Sequence, residues 1–279
     1  MAVSRAQLLS TLDTLLKPER FNDYCPNGLQ VEGRSEIQRL VTGVTASQAL
    51  LDAAVASNAD AILVHHGYFW RSEPPCITGM KGRRIRTLIR ANINLYAYHL
   101  PLDCHLELGN NAGLGRVLGV DSYAPVDPAN PNLPIFHGRY SRPRKQSEIA
   151  AHLSRVLGRE VLSETGLGAQ AHPQAGPQVD PQVDPQRGLQ VGSERLVETV
   201  AWCTGGGQGY IDTAANFGAD LFVTGEVSEQ TIHSAREQGI GFIAAGHHAT
   251  ERFGAKNVGE WLAQELGIWH AFIDIPNPA

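Results

Sequence analysis

Leucines at positions 8, 9, 12, 15 and 16 recur at helical spacing and stop at Lys17-Pro18, which predicts an amphipathic helix over the opening residues. The period then changes. "VTGVT" (41–45) predicts a strand, "SQALLDAAVASN" (47–58) an alanine-rich helix capped by Ser47, and "DAILV" (60–64) a second strand. Strand, helix and strand in that order imply parallel pairing, because parallel neighbours need a crossover between them. Farther along, "RKQSEIAAHLSRVLGREV" (144–161) has the spacing of an amphipathic helix followed by a short strand. Periodicity is lost over about 167–193, a stretch rich in Pro, Gln and Gly that carries a PQVD tandem. With so little apolar surface to bury, it is expected to be a flexible loop.

The chain also matches itself. "TASQALLDAAVASNADAILVHHG" (45–67) aligns without a gap on "GGGQGYIDTAANFGADLFVTGEV" (205–227). Gln48 meets Gln208, Asp52 meets Asp212, Ala54 meets Ala214, and Ala59-Asp60 meet Ala219-Asp220, all at a separation of 160 positions. "LYAYHLPLD" (95–103) then falls on "IAAGHHATE" (243–251), and "LGRVLGV" (114–120) on "LAQELGI" (262–268), at a separation of 148. The change of register places extra residues of the first half around "RSEPPCITGMKGRR" (71–84). The expected organisation is a first α/β lobe over 1–125, a middle region over 126–198 that contains the loop, and a second α/β lobe over 199–279.

The polar positions of the repeat carry the chemistry. His65-His66 lie on Gly225-Glu226, and His99 and Asp103 lie on His247 and Glu251. In open α/β sheets the carboxyl ends of the strands converge on the ligand crevice. Successive strand side chains point to opposite faces, so two adjacent histidines are expected to share a centre only past the strand end, where Gly67 allows a turn. "HLPLD" and "HHATE" both read His, three residues, carboxylate, which a helical turn puts on one face; Pro101 suits a first turn. Imidazole and carboxylate without thiolate suit zinc, iron, manganese, nickel or cobalt rather than calcium. His65, His66, Asp103, His247 and Glu251, with His99 nearby, are too many for one closed tetrahedral ion. They suit two divalent ions, with Asp103 or Glu251 bridging and positions left for water, which is hydrolytic chemistry. The expected fold class is therefore α/β, with two pseudo-repeated lobes packed around a central dinuclear metal site. His99 or Glu226 could shuttle protons.

Other candidates have plainer readings. His137, His152, His172 and His270 read as packing or surface residues, His105 and Cys104 as packing beside Asp103, and His248 as a neighbour of the ligands or of substrate. "TGGGQGY" (204–210) reads first as a tight turn and second as a phosphate contact, since it lacks the Lys-Ser/Thr of a P-loop. Asp52 and Asp212 are expected to face solvent, and no serine sits in a nucleophile-elbow sequence.

Composition narrows the class. A net charge of -5 and a pI near 6.1 oppose a nucleic-acid or polybasic membrane partner. With no apolar run of membrane-spanning length and no leader-like N-terminus, a soluble cytoplasmic protein is expected. Four separated cysteines without a CxxC suggest reduced thiols.

Five motifs together, "NGLQVEG" (27–33), "VHHGYFW" (64–70), "YHLPLDCHLELGNN" (98–111), "VTGEVSEQTIHSARE" (223–237) and "AGHHATERFG" (245–254), resemble the GTP cyclohydrolase I type 2 homologue family, also described as Ngg-interacting-factor-3-like proteins. The resemblance spans nearly the whole chain except the PQVD loop. It implies a two-lobed α/β fold, a dinuclear metal centre on His65, His66, Asp103, His247 and Glu251, and a ring-shaped homohexamer. His99 matches a family histidine beside the metals, and Glu226 and His233 match active-site positions. No guanine-selecting groups are legible, so the family name is fold-level analogy. The leading expectation is a dinuclear metal-dependent hydrolase acting on a nucleotide-like or phosphate-containing small molecule. The alternative is a non-catalytic metal-binding regulatory, chaperone-like or scaffold protein.

Overall fold

The computed structural model describes residues 2–130, 132–165 and 195–279; the expected loop at 167–193, with His172, lies outside them. In chain order the first elements are β1 (Val3–Ser4), α1 (Arg5–Leu16), β2 (Gly28–Val31), β3 (Glu36–Ile37), β4 (Arg39–Thr45), α2 (Gln48–Ala56), β5 (Ala61–His66), α3 (Gly79–Ala91), β6 (Asn94–Ala97), α4 (Leu100–Cys104) and α5 (Asn110–Leu118). There follow β7 (Ser122–Pro125), β8 (Phe136–Lys145), α6 (Gln146–Leu157), β9 (Leu162–Glu164), β10 (Leu196–Cys203), α7 (Ile211–Phe217), β11 (Leu221–Thr224), α8 (Glu229–Gln238), β12 (Gly241–Ala244), α9 (His247–Thr250), α10 (Arg252–Leu266) and β13 (Trp269–Phe272). The α/β class expected from the sequence is the one the chain adopts. Two compact units form: Met1–Leu114 with Asp127–Pro134 and His248–Pro278, and Gly115–Val126 with Ile135–His247.

The first unit is built on a five-stranded sheet of order β13-β4-β5-β6-β2, parallel except for β2. Ala61 and Leu63 of β5 pack into a cluster with Leu8, Leu12 and Leu16 of α1 and Val258 and Leu262 of α10. Ile62 and Val64, on the opposite face, pack with Leu50 and Leu51 of α2 and Ile85 and Leu88 of α3. Both faces are covered, so "AILV" needs no polar alternation. The helix ends follow the sequence. Ser4 Oγ accepts from Gln7 N at 3.0 Å and Ser47 Oγ from Leu50 N at 3.3 Å, while Lys17, at φ 50°, ends α1 before Pro18.

The second unit holds a six-stranded sheet of order β7-β8-β10-β11-β12-β9, in which β10, β11 and β12 are parallel and the others antiparallel. Trp202 of β10, fully buried, packs against Phe136 and Tyr123 at ring separations of 6.3 and 6.2 Å.

The sequence repeat has a structural meaning: β4-α2-β5-α3-β6 and β10-α7-β11-α8-β12 are the same parallel unit run twice. Asp60 Oδ2 accepts the backbone N–H groups of Gln38 and Arg39 at 2.7 and 2.9 Å, and Asp220 Oδ2 those of Glu198 and Thr199 at 2.9 and 2.8 Å. All three residues of each clamp keep the 160-position separation. Each aspartate thus ties the start of its own strand to the strand beside it. Asp60→Ala and Asp220→Ala are each expected to cost about 2–4 kcal/mol, because two strand amides lose a charged acceptor. Asp60 loses more, since its Oδ1 also pairs with Arg34 at 2.7 Å. Chemical denaturation measures this, and a cost below about 1 kcal/mol at either site would contradict the clamp.

Candidate metal centre

Five of the residues singled out in the sequence meet in the first unit. β5 runs on through both histidines: His66 is still paired with Thr45 of β4, whereas pairing with β6 stops at Val64 and Ala97. The expectation that the strand ends before the pair is therefore corrected. The imidazoles lie past the last rung on the β6 side, and their ring centroids are 4.5 Å apart.

His65 is fully buried, and its Nδ1 lies 3.1 Å from the carbonyl oxygen of Tyr98. A carbonyl can only accept, so Nδ1 carries the hydrogen and Nε2 of the neutral ring presents a lone pair. That lone pair, buried, faces Asp103 Oδ1 at 3.5 Å and Glu251 Oε1 at 3.4 Å. His66 Nε2 lies 3.3 Å from Glu251 Oε2, and its Nδ1 3.2 Å from Thr45 Oγ1. Lone pair against carboxylate is repulsive unless a cation, either a proton or a metal ion, lies between them. Donor atoms of His65, Asp103 and Glu251 all lie within 4.8 Å of one another, as do those of His65, His66 and His99. The nitrogen and oxygen donors fit divalent transition ions.

The same charges set the protonation of the cluster. Burial opposes charging of His65, but the Asp103 and Glu251 carboxylates outweigh it and push the imidazole up to about 9. Burial raises the Asp103 carboxyl, the charge of Glu251 adds to this, and His65 only partly offsets them.

The supporting residues were less visible in sequence. Asp103 sits on α4, whose turn is closed by its own N–H on the His99 carbonyl at 3.1 Å. Asn110 donates from Nδ2 to Asp103 Oδ1 at 2.9 Å and accepts the Gly254 N–H at 2.6 Å, which fixes Asp103 relative to the start of α10, beside Glu251. A Cβ at Gly254 would meet Asn110 Oδ1 at 2.7 Å, so only glycine permits this approach. His99 Nδ1 is 2.7 Å from Asp23 Oδ1, while Asp23 Oδ2 accepts from Leu100 N at 2.9 Å and Asn27 Nδ2 at 3.0 Å. Burial raises the Asp23 carboxyl, yet the His99 hydrogen bond and charge hold it below the usual range. Trp70 meets the His99 ring edge-on at 5.0 Å, and His65 lies 5.0 Å away on centroids. Asn110 lies inside the motif at 98–111 and Asp23 just before the one at 27–33, but no spacing rule marked either of them.

The remaining candidates have separate places. In the second unit His247 Nδ1 pairs with Glu226 Oε1 at 2.6 Å, and Gln208 Nε2 donates to Glu226 Oε2 at 3.1 Å. A carboxylate on one imidazole nitrogen orients the other, an arrangement common at metal-binding histidines. In "TGGGQGY" the Gly207 N–H goes to Thr224 Oγ1 at 3.1 Å, and the Thr224 hydroxyl donates to Gly205 O at 3.2 Å, closing a tight turn. His233 is exposed on α8, as are Asp52 on α2 and Asp212 on α7. His270 bonds Thr42 at 2.8 Å, His152 the Val117 carbonyl at 2.9 Å and His248 Asp274 at 2.8 Å. His137 lies against Phe217, and His105 Nδ1 accepts from Leu108 N at 3.1 Å.

A histidine–carboxylate cluster at the strand ends of a twice-run parallel α/β unit defines a candidate metal-binding protein. The chain belongs to the Duf34/NIF3 (NGG1p interacting factor 3) family, whose family model matches residues 3–278. It is 49% identical over 279 residues to a "GTP cyclohydrolase 1 type 2 homolog" of Pseudomonas aeruginosa, covering 100% of both chains. A protein of the same description from Pasteurella multocida is 51% identical over 273 residues, with 98% of each covered. Among solved structures, the protein ybgI, described as of unknown function, aligns with a TM-score of 0.85 at 47% identity, covering 99% of this chain and 100% of that one. A Thermus thermophilus protein aligns with a TM-score of 0.83 at 33% identity, covering 99% and 100%. Among the described residues no helix is long and apolar enough to cross a membrane.

Proposed function

We propose that this chain is a dinuclear metal-dependent hydrolase, acting on a nucleotide-like or phosphate-containing small molecule in the cytoplasm as a homohexameric ring. His65, His66, Asp103 and Glu251 would hold two divalent ions together with His247, which stands four positions before Glu251 in sequence. The observation that carries the reading is the His65 Nε2 lone pair, buried and turned toward two carboxylates. When bound, the ions supply Lewis acidity and bring the pKa of water toward neutrality. Tyr98 holds His65 in the tautomer that ligation needs, and Glu226 does the same for His247. His99, with Nδ1 on Asp23, keeps one ring orientation and can take or return a proton at Nε2. Asp23 acts as a positioning residue through it.

Elemental analysis of freshly purified protein is expected to find two divalent ions per chain, lost on chelation. The metal-loaded protein is expected to hydrolyse at least one member of a panel of nucleotides, cyclic phosphodiesters and phosphate esters. Absence of metal would overturn the reading. Metal without turnover would replace it with a non-catalytic metal-binding protein.

A further inference from the structure

Near the candidate ligands, still within the first unit, lies a cleft of about 310 Å³ whose walls include Thr45, Ser47, Leu50, Arg84, His248 and Ile273. One of those residues is at odds with its surroundings. Arg84 lies on α3, whose exposed side carries Arg83, Arg86 and Arg90, but Arg84 itself is partly buried and turned to the cleft. Among the described residues its buried Nε has no acceptor.

The nearby acids are already engaged. Glu73, whose charge is felt along with that of Arg84 at Tyr68, accepts from Phe69 N at 2.7 Å and lies 3.6 Å from Lys81. Asp274 is shared between His248 at 2.8 Å and Arg252 at 3.1 Å. A buried Nε–H without an acceptor is costly, and the terminal amino groups of this half-buried side chain keep their capacity to grip an oxyanion through two N–H groups. A second positive feature converges on the same wall. The nine-residue helix α2 begins there, with Ser47, Ala49 and Leu50 in the lining, so the positive end of its dipole faces the cleft. Val44, Leu50, Ile273 and Pro276 make the rest apolar.

We propose that this cleft is an oxyanion subsite in which Arg84, aided by the α2 N-terminus, binds the phosphate of a phosphorylated small molecule whose apolar part lies against Leu50 and Ile273. Thr45 links subsite and centre, since it lines the cleft while its Oγ1 lies 3.2 Å from His66 Nδ1. The proposal deepens the hydrolase reading, and rests on it, by assigning the non-reacting end of the substrate. Arg84 is a substrate-binding residue for a group that is not itself cleaved.

The test uses inorganic phosphate as probe on the full chain, both chelator-treated and metal-loaded, with metal content measured on the same samples. Phosphate is expected to shift the Arg84 Nε–H resonance of the wild-type protein in both states. Arg84→Gln is expected to weaken phosphate binding about 10- to 100-fold with metal content unchanged, whereas Arg83→Gln on the exposed side leaves binding as it was. Arg84→Lys keeps the charge but not the paired donors and should fall between them. An Arg84 resonance that does not respond to saturating phosphate would overturn the subsite, and so would wild-type affinity in Arg84→Gln. The wild-type resonance decides the matter even if a variant fails to fold. Metal present with Arg84 silent sinks the subsite alone; metal absent with Arg84 responsive sinks the hydrolase reading alone.

Discussion

Glu251→Gln is expected to strip the centre of most of its metal, weakening affinity by more than about 100-fold, the upper range for losing even an indirect partner of a ligand. Glu251 is 3% exposed and its two oxygens face different imidazoles, His65 Nε2 at 3.4 Å and His66 Nε2 at 3.3 Å. The amide keeps the shape but removes the charge, and offers N–H donors where a cation would need lone pairs. The fold should survive, because Asn110 still ties α4 to the start of α10 and a buried like charge beside Asp103 is gone. The expected signature is therefore loss of metal with thermal stability of the chelated protein near that of chelated wild type. Elemental analysis and thermal unfolding read it; metal content equal to wild type would remove Glu251 from the ligand set.

Much of this centre was legible because the repeat preserved it. Asp60 and Asp220 correspond in sequence since each clamps two amides of the neighbouring strand, a backbone requirement that nearly any substitution breaks. The apolar run before His65 was equally readable, because a strand covered on both faces needs no polar position. What spacing misjudged was direction. His-x-x-x-Asp over 99–103 predicts two side chains on one helical face, but His99 precedes α4 with φ −100° and ψ −100°, and its Nδ1 meets Asp23, 76 positions away in sequence. Asn110 escaped notice for a related reason, since one of its two partners, Gly254, is 144 positions distant. Local periods report which face a residue occupies; they carry no signal for a polar side chain whose partner arrives from another part of the chain.

Metal affinity is expected to rise about tenfold per pH unit between pH 7 and about 9 and then to level off, through His65. In the chelated protein the Asp103 and Glu251 carboxylates, outweighing burial, hold the His65 proton up to about 9, so below that pH an incoming ion must displace it. Stability carries the matching sign. The folded-state pKa lies above the ordinary value of 6.5, so the contribution of His65 is fully present below 6.5 and is lost as pH climbs through about 9. Chelated protein should therefore lose stability across that window while metal-loaded protein keeps it, the ion having taken the place of the proton. Competition titrations in metal buffers at pH 7, 8 and 9, with thermal unfolding of both forms, test this. A pH-independent affinity would mean that the His65 lone pair is not where the ion binds, because a ligand atom that is protonated in the free protein must register in the pH dependence of its metal.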